Sequence, residues 1–333
     1  MSSAIEDMTE KSIHKSVLLD ETIDSLNLNV EKTLRVLDGT LGAGGHTEAI
    51  LKFKNTRVLA TDRDSSAIEK AKVKLNQFND RLVLKKTNFS EFSSEIKKLN
   101  LEELAVMMWD ESEPKLFDRV LLDLGISSDQ LDDKQRGFSF RDSNTLDMRM
   151  DSGQSLDADE VLNNYHVSDL TKVFKKGGVG KLSSILAKEV VKKRPISSSS
   201  DFTKVCVEVY TRSGSKKSSH YATVPFQAVR IEVNKELDSI KTFLDSIFDF
   251  LSPGGILSVI CFHSLEDKIV AGRMRKWARV SRQEFKLQVE AKGKVLTQKA
   301  IVASKKEIES NPRARSAMLR VFEKSKKVEV KGK

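Results

Sequence analysis

The sequence predicts an α/β fold, a doubly wound parallel sheet with a cofactor corner, interrupted by a mostly helical segment. Three observations lead there. A short apolar run, Leu34 to Leu37, ends in Asp38, and glycines at 42, 44 and 45 precede a helix start at Thr47. Strand-like runs alternate with helical patterns as far as residue 123, the rhythm of a parallel sheet. That rhythm lapses between about 132 and 228 and returns with a strand at 256–262. Glycine suits the corner because the backbone must turn tightly and pass a ligand with no Cβ in the way.

Taken in order, residues 1–12 read as disordered and 14–27 as a lead-in and a helix lying over that corner. Strands are expected at 33–38, 57–62, 81–86 and 117–123, with an amphipathic helix at 65–79. In the central segment helical patterns occupy 157–175, 182–193 and 201–213. Polar breaks separate them at Lys176-Gly-Gly-Val-Gly180, at the serine run 197–200 and at 213–219. The first serine run leads into a helix, with Ser200 or Asp201 as its N-cap. A helix at 229–250, a turn at Ser252-Pro-Gly-Gly255 and the strand at 256–262 restore the α/β pattern. The rest, 265–333, reads as helix mixed with basic coil. The expected organisation is therefore 1–131 and 229–333 as two parts of one sheet domain, with 132–228 as a helical insertion.

The 333 residues, 39% of them hydrophobic, suffice for one large domain or two ordinary ones. No apolar run reaches the roughly 18 residues of a membrane span. The start, Met1-Ser-Ser-Ala-Ile-Glu-Asp, resembles neither a secretory signal nor a basic transit peptide. Cys206 and Cys261 lie in apolar runs, so neither a disulfide framework nor a cysteine metal site is expected, and a reducing, cytoplasmic setting fits. The net charge of +9 is uneven: from Leu265 on, 20 Lys+Arg face 8 Asp+Glu. This basic C-terminal segment points to a polyanion such as RNA, or to a solvated helical surface.

Asp62 follows Asp38 by 24 residues, at the end of the second strand, where a carboxylate can accept both ribose hydroxyls of an adenosine cofactor. That spacing alone fits NAD or S-adenosylmethionine. The glycines favour the second, because Gly42-Ala-Gly44-Gly45-His46-Thr47 lacks the third glycine of a dinucleotide loop. Phe89, just past the third strand, is placed to meet an adenine ring. Asp123-Leu-Gly-Ile-Ser-Ser-Asp-Gln-Leu-Asp132 follows the fourth strand, and a polar, glycine-containing turn there argues for function rather than stability.

Nine blocks in order, covering about residues 14–322, resemble the RsmH (MraW) family of ribosomal RNA cytosine-N4 methyltransferases. They are His14-Lys-Ser-Val-Leu-Leu-Asp-Glu21, with Ser16 where Pro or Thr is usual, Asp38 to His46, Asp62-Arg-Asp64 and Asp123 to Asp132. Arg136-Gly-Phe-Ser-Phe-Arg and Leu146-Asp-Met-Arg-Met150 follow at family spacing, then Phe226-Gln-Ala-Val-Arg-Ile-Glu-Val-Asn-Lys-Glu-Leu237. Ser258-Val-Ile-Cys-Phe-His-Ser-Leu-Glu-Asp267 and Asn311-Pro-Arg-Ala-Arg-Ser316 complete the set. Two segments depart from the pattern: Lys175-Lys-Gly-Gly-Val-Gly180 lacks the usual acidic pair, and His220-Tyr-Ala-Thr-Val-Pro225 lacks the usual arginine.

The resemblance implies a class I, Rossmann-like S-adenosylmethionine-dependent methyltransferase with an inserted substrate domain. It implies cofactor contacts at Gly44, Gly45, His46, Asp62, Phe89, Asp123 and Gln130, and no metal. The implied substrate is the exocyclic N4 of a cytosine in the decoding region of small-subunit ribosomal RNA, within a largely assembled subunit. Asp123 is the candidate acceptor of the amine's hydrogens, and His263, at the end of the fifth strand, the second catalytic candidate. Arg136, Phe138, Phe140 and Arg141 are candidates for the flipped base and its phosphates, and Arg313, Arg315 and the basic tail for the backbone. The alternatives are a non-catalytic ribosome-assembly factor on the same fold and a nicotinamide oxidoreductase, which the glycine pattern disfavours.

Overall fold

The computed structural model describes residues 16–139, 145–215, 220–287 and 290–326. The expected disordered segment 1–12, His14, Phe140, Arg141 and most of the 213–219 break lie outside them. One sheet organises the rest. Its strands are β1 (Leu34–Asp38), β2 (Thr56–Asp62), β3 (Leu82–Lys86), β4 (Phe117–Asp123), β5 (Leu251–Cys261), β6 (Gly293–Val295), β7 (Ile301–Val302) and β8 (Met318–Lys324). The order is β3-β2-β1-β4-β5-β8-β6, with β7 also on β8. β1 to β5 run parallel, whereas β8 runs antiparallel to each of its neighbours. This is the class I, Rossmann-like arrangement. The chain leaves β1 for β2 on one side and reaches β4 on the other, so a crevice opens at the carboxyl ends of β1 and β4.

Helices cover both faces. α1 (Leu19–Leu26), α2 (Gly45–Leu51) and α3 (Ser65–Lys74) bury one face around Leu26, Val36, Ile50 and Val58. On the other, α4 (Phe92–Ile96) and α5 (Leu101–Met107) pack with two later helices around Leu37, Phe92, Val120, Phe243 and Met274. β4 is apolar on both sides because both are covered. Its buried Arg119 is tolerated because the guanidinium donates to the carbonyls of Leu26, Asn27 and Asp118.

After α6 (Ser128–Asp132) comes a helical unit of α7 (Ala158–Asn163), α8 (Val167–Lys176), α9 (Ser183–Lys192), α10 (Ser199–Arg212) and α11 (Thr223–Asn234). It has its own apolar core, including Leu170, Phe174, Leu186, Phe202, Tyr210 and Phe226. The chain returns to the sheet through α12 (Glu236–Phe250), and α13 (Ser264–Ala278), α14 (Arg282–Lys286) and α15 (Lys305–Ser310) follow β5.

Four expectations need correction. The helix expected at 229–250 is two helices, broken at Lys235 in the left-handed region (φ 51°). The buried Asn234 side chain bonds the backbone of Met148 and Met150 and stops α11 there. The helix expected at 157–175 is also two: Asn163 turns aside to bond Ile196, and His166 caps α8. The N-cap of α10 is Ser198, whose Oγ accepts the Asp201 N–H. The last segment has the expected helices, but strands replace much of the expected coil: β8 inserts between β5 and β6, burying Leu319, Val321 and Phe322 while Arg320 pairs with Asp267.

Candidate active site

The crevice is lined by several ionisable groups, among them His46, Asp62, Asp123, Glu236 and Glu266. Including its open mouth it measures about 1350 Å³, lined from the ends of β1, β2, β4 and β5 and from the starts of α2, α12 and α13.

Asp62 ends β2 with both carboxylate oxygens pinned. Oδ2 accepts the Gly42 N–H and Oδ1 the Asp64 N–H, each at 2.8 Å. Burial still pushes its pKa up. Each oxygen keeps a second lone pair for a diol. Gly42 and Gly44 both have positive φ, 51° and 74°. Gly45 is needed for close approach: a Cβ there would stand 2.1 Å from Ser16 Oγ, where the N-terminal segment closes over the turn. Ser16, Gly42 and Gly45 line the cleft, whereas Gly44 lies behind it as the α2 N-cap.

Beneath the turn, Asp38 accepts from Thr47 Oγ (2.6 Å) and the Thr40 N–H (3.1 Å), and burial raises its pKa to about 6. His46 is buried beside it, its Nε2 3.1 Å from the Val17 carbonyl, and burial lowers its pKa to about 4. Its Nδ1 stands 3.5 Å from Oδ2 of Asp123. Asp123 opens a quarter of its side chain to the cleft, yet Oδ1 has no hydrogen-bond partner. Burial, then the nearby Asp38 and Glu266 carboxylates, raise its pKa well above the usual range.

Phe89 lines the cleft and meets Phe243 edge to face at 5.7 Å. Gln130 lines it too, but its polar atoms are spent: Nε2 donates to Asp64 Oδ2, and Oε1 accepts the Ser127 N–H in the capping box of α6.

His263 is not among the lining residues. It is the N-cap of α13, its Nδ1 accepting the Glu266 N–H. Glu266 lines the cleft instead, accepting the N–H groups of Phe262 and His263 on Oε2. Its Oε1 and His263 Nε2 are 3.2 Å apart but off hydrogen-bond alignment. His263 and the buried Arg230 lower the Glu266 pKa against the burial that raises it. Arg230 holds Glu236 through two bonds of 2.9 Å. Glu236, His263 and Glu266 thus gather their ligand atoms within 4.8 Å. Glu236 is already spent on Arg230, and Nδ1 of His263 on the helix cap, which leaves the hydrogen on Nε2.

The remaining expected residues scatter. Arg136 is drawn inward, to Asp64 (2.7 Å) and the Met150 carbonyl (2.8 Å). Phe138 is buried in the helical unit's core. Arg313 lines the cleft mouth and bonds Asp132 at 2.6 Å, and Arg315 is exposed beside it. The sequence reading passed over Arg63, which donates to the Asn234 carbonyl and Gln154. Glu236 and Ser239 on α12 are not among the expected site residues, and neither is Glu266, which falls beside His263 in the block 258–267. Only Arg63 had a local signal, a cation directly after the ribose-side carboxylate.

Comparison with known proteins decides the family. The model of the MraW methylase family matches residues 11–325. The chain belongs to this family. Ribosomal RNA small subunit methyltransferase H of Gloeobacter violaceus is 39% identical over 311 residues, 93% of this chain and 88% of that protein. Proteins of the same name from Halothermothrix orenii and a Picosynechococcus species are 38% and 39% identical, over 93% of this chain and 98% and 96% of theirs. A methylase needs a methyl donor, and S-adenosylmethionine fits what the cleft offers. The glycine turn leaves room for the methionine part, Asp62 has free lone pairs for the ribose, and Phe89 borders the adenine side. Asp123 lines the same cleft, and its buried Oδ1 has no hydrogen-bond partner. Among the described residues, no helix is long and apolar enough to cross a membrane.

Proposed function

We propose that the chain transfers a methyl group to the exocyclic N4 of a cytosine in the decoding region of small-subunit ribosomal RNA. The observation that carries the reading is Asp123: a carboxyl at the end of β4 that lines the cleft with a quarter of its side chain exposed, and whose buried Oδ1 has no hydrogen-bond partner. Bound to the glycine turn, S-adenosylmethionine supplies a methyl group on a positively charged sulfur. The N4 lone pair is delocalised into the ring, so orientation is the main lever the protein has. N4 must also lose one proton as its new bond to carbon forms. A carboxylate accepting an N–H hydrogen holds the amine in line and receives that proton. Asp62 holds the ribose, Gly45 and His46 the methionine end, and Phe89 the adenine. Gln130 acts through Asp64, by fixing the loop, and His263 acts through Glu266.

The family relatives' name supports ribosomal RNA of the small subunit as substrate. The helical unit is the substrate-recognition domain on this reading, and a nearly assembled subunit in the cytoplasm is the partner. The test uses labelled S-adenosylmethionine with unmodified small subunits and, separately, their naked RNA, followed by digestion and mass analysis of nucleosides. Labelled N4-methylcytidine is the expected product. Label in another nucleoside, or none despite tight cofactor and subunit binding, overturns the assignment.

A further inference from the structure

Two of the arginines expected to hold RNA are occupied: Arg136 serves Asp64, and Arg313 is paired with Asp132. A different set of cations stands free. Lys181, in the turn before α9, and Lys188 and Lys192 on α9 are exposed and have no ion pair or hydrogen bond among the described residues. Lys188 and Lys192, four residues apart, share one face of α9, and Lys181 stands in the 3-10 turn that leads into it. The exposed Ile185 lies on the same face, 55% accessible. The carboxylates that might neutralise these lysines are used elsewhere: Glu189 by Arg212, and Glu208 by both Lys193 and Arg212.

The turn that leads into α9 also packs near the start of α13, which carries the cleft residue Glu266. The loop Gly177 to Gly180 enters α9, and a Cβ on Gly178 would lie 3.8 Å from Leu265, the neighbour of the cleft residue Glu266. From there α9 carries the lysines away for 11 residues, roughly 16 Å of helix rise. A polyanion whose base enters the cleft has its adjoining phosphates within reach of such a row. Lysines suit this as point charges that hold a backbone without reading sequence.

We propose that the α9 face bearing Lys188 and Lys192, together with Lys181 in the turn before it, is the docking surface for the phosphate backbone of the RNA flanking the target base. This rests on the RNA reading above. It assigns the insertion, rather than the C-terminal arginines, the larger share of the electrostatic contact.

The test is the salt dependence of binding to unmodified small subunits and to their extracted RNA, for the full chain and for the K181Q/K188Q/K192Q variant. Three lost phosphate contacts should reduce the slope of log affinity against log salt by about 2 to 3. The affinity lost between 50 and 200 mM salt then shrinks by roughly 20- to 40-fold on both probes. The K181R/K188R/K192R variant should keep the wild-type slope. Calorimetric binding of S-adenosylmethionine should be unchanged in both variants, since none of the three residues lines the cleft. An unchanged slope for the glutamine variant overturns the proposal. So does a reduced slope on subunits with none on naked RNA, which would assign the face to a ribosomal protein. If the wild-type chain itself shows no salt-dependent RNA binding, the RNA reading fails instead.

Discussion

Nδ1 of His46 faces Oδ2 of Asp123 at 3.5 Å, while its other ring nitrogen lies 3.1 Å from the Val17 carbonyl oxygen. A carbonyl only accepts, so Nε2 carries the hydrogen and Nδ1 is bare. Burial keeps the ring neutral down to about pH 4. Any hydrogen between the two groups therefore comes from Asp123, the group whose pKa burial and two neighbouring carboxylates raise.

This arrangement sets a pH dependence. If ionised Asp123 accepts the amine's hydrogens, the rate at saturating cofactor and RNA rises with pH through the raised Asp123 pKa and levels off above it. Asp123→Asn cannot take a proton. It should lower kcat by about 10²-fold or more, remove that rise, and change cofactor affinity less than tenfold. Single-turnover rates across pH, with calorimetry of cofactor binding, check it. An unchanged kcat with weakened cofactor binding would make Asp123 a cofactor ligand only.

Asp38 and His46 make opposite contributions to stability. Folded Asp38 keeps its proton up to about pH 6 against an ordinary value of 3.8, so in that window the folded state binds more protons and stability falls as pH rises. His46 protonates near 4 when folded and near 6.5 when unfolded, so there the unfolded state binds more and stability rises with pH. The two slopes nearly cancel between pH 4 and 6. His46→Gln leaves Asp38 unopposed. Denaturant unfolding should show the variant losing roughly 3 kcal/mol more than wild type over that window.

Gly177 touches α11 with no room for a side chain. A Cβ there would stand 2.2 Å from Ala228 Cβ and 2.3 Å from its Cα. Gly177→Ala has to part α8 from α11, and overpacking of this kind costs on the order of 1–3 kcal/mol. Ala228→Gly in the same chain relieves the Cβ contact but not the backbone one, so thermal unfolding should show partial rescue. An unchanged Tm for Gly177→Ala would mean that the loop shifts freely.

The sheet was legible because parallel strands buried on both faces read as apolar runs, and β4 falls at Phe117–Asp123 as expected. The corner was legible because Gly42 and Asp62 sit at the strand ends that bring them together. What escaped depends on distant partners. Asn234 ends α11 because it bonds residues 148 and 150, far back in the chain. β8 has a strand's alternation, but its Lys and Arg made it look like coil until Asp267 supplied Arg320 with a partner. Arg136 beside Phe138 looks like a nucleic-acid contact in one dimension. Only the fold reveals that Asp64 takes the first and a helical core the second.

Arg230 ties the helical unit to the cleft. From α11 it holds Glu236 at the start of α12, and its charge also lowers the pKa of Glu266 at the start of α13. All three groups are largely buried. Arg230→Met removes the cation and strands the Glu236 carboxylate, a change that typically costs about 3–5 kcal/mol. Adding Glu236→Met removes the stranded charge, and an apolar replacement of a buried pair is often close to neutral. The double variant should therefore recover most of the lost stability in denaturant unfolding. It should not recover activity, because Glu266 has lost one of the charges that lower its pKa and the cleft has lost Glu236. Recovery of both would reduce Arg230 to a packing residue.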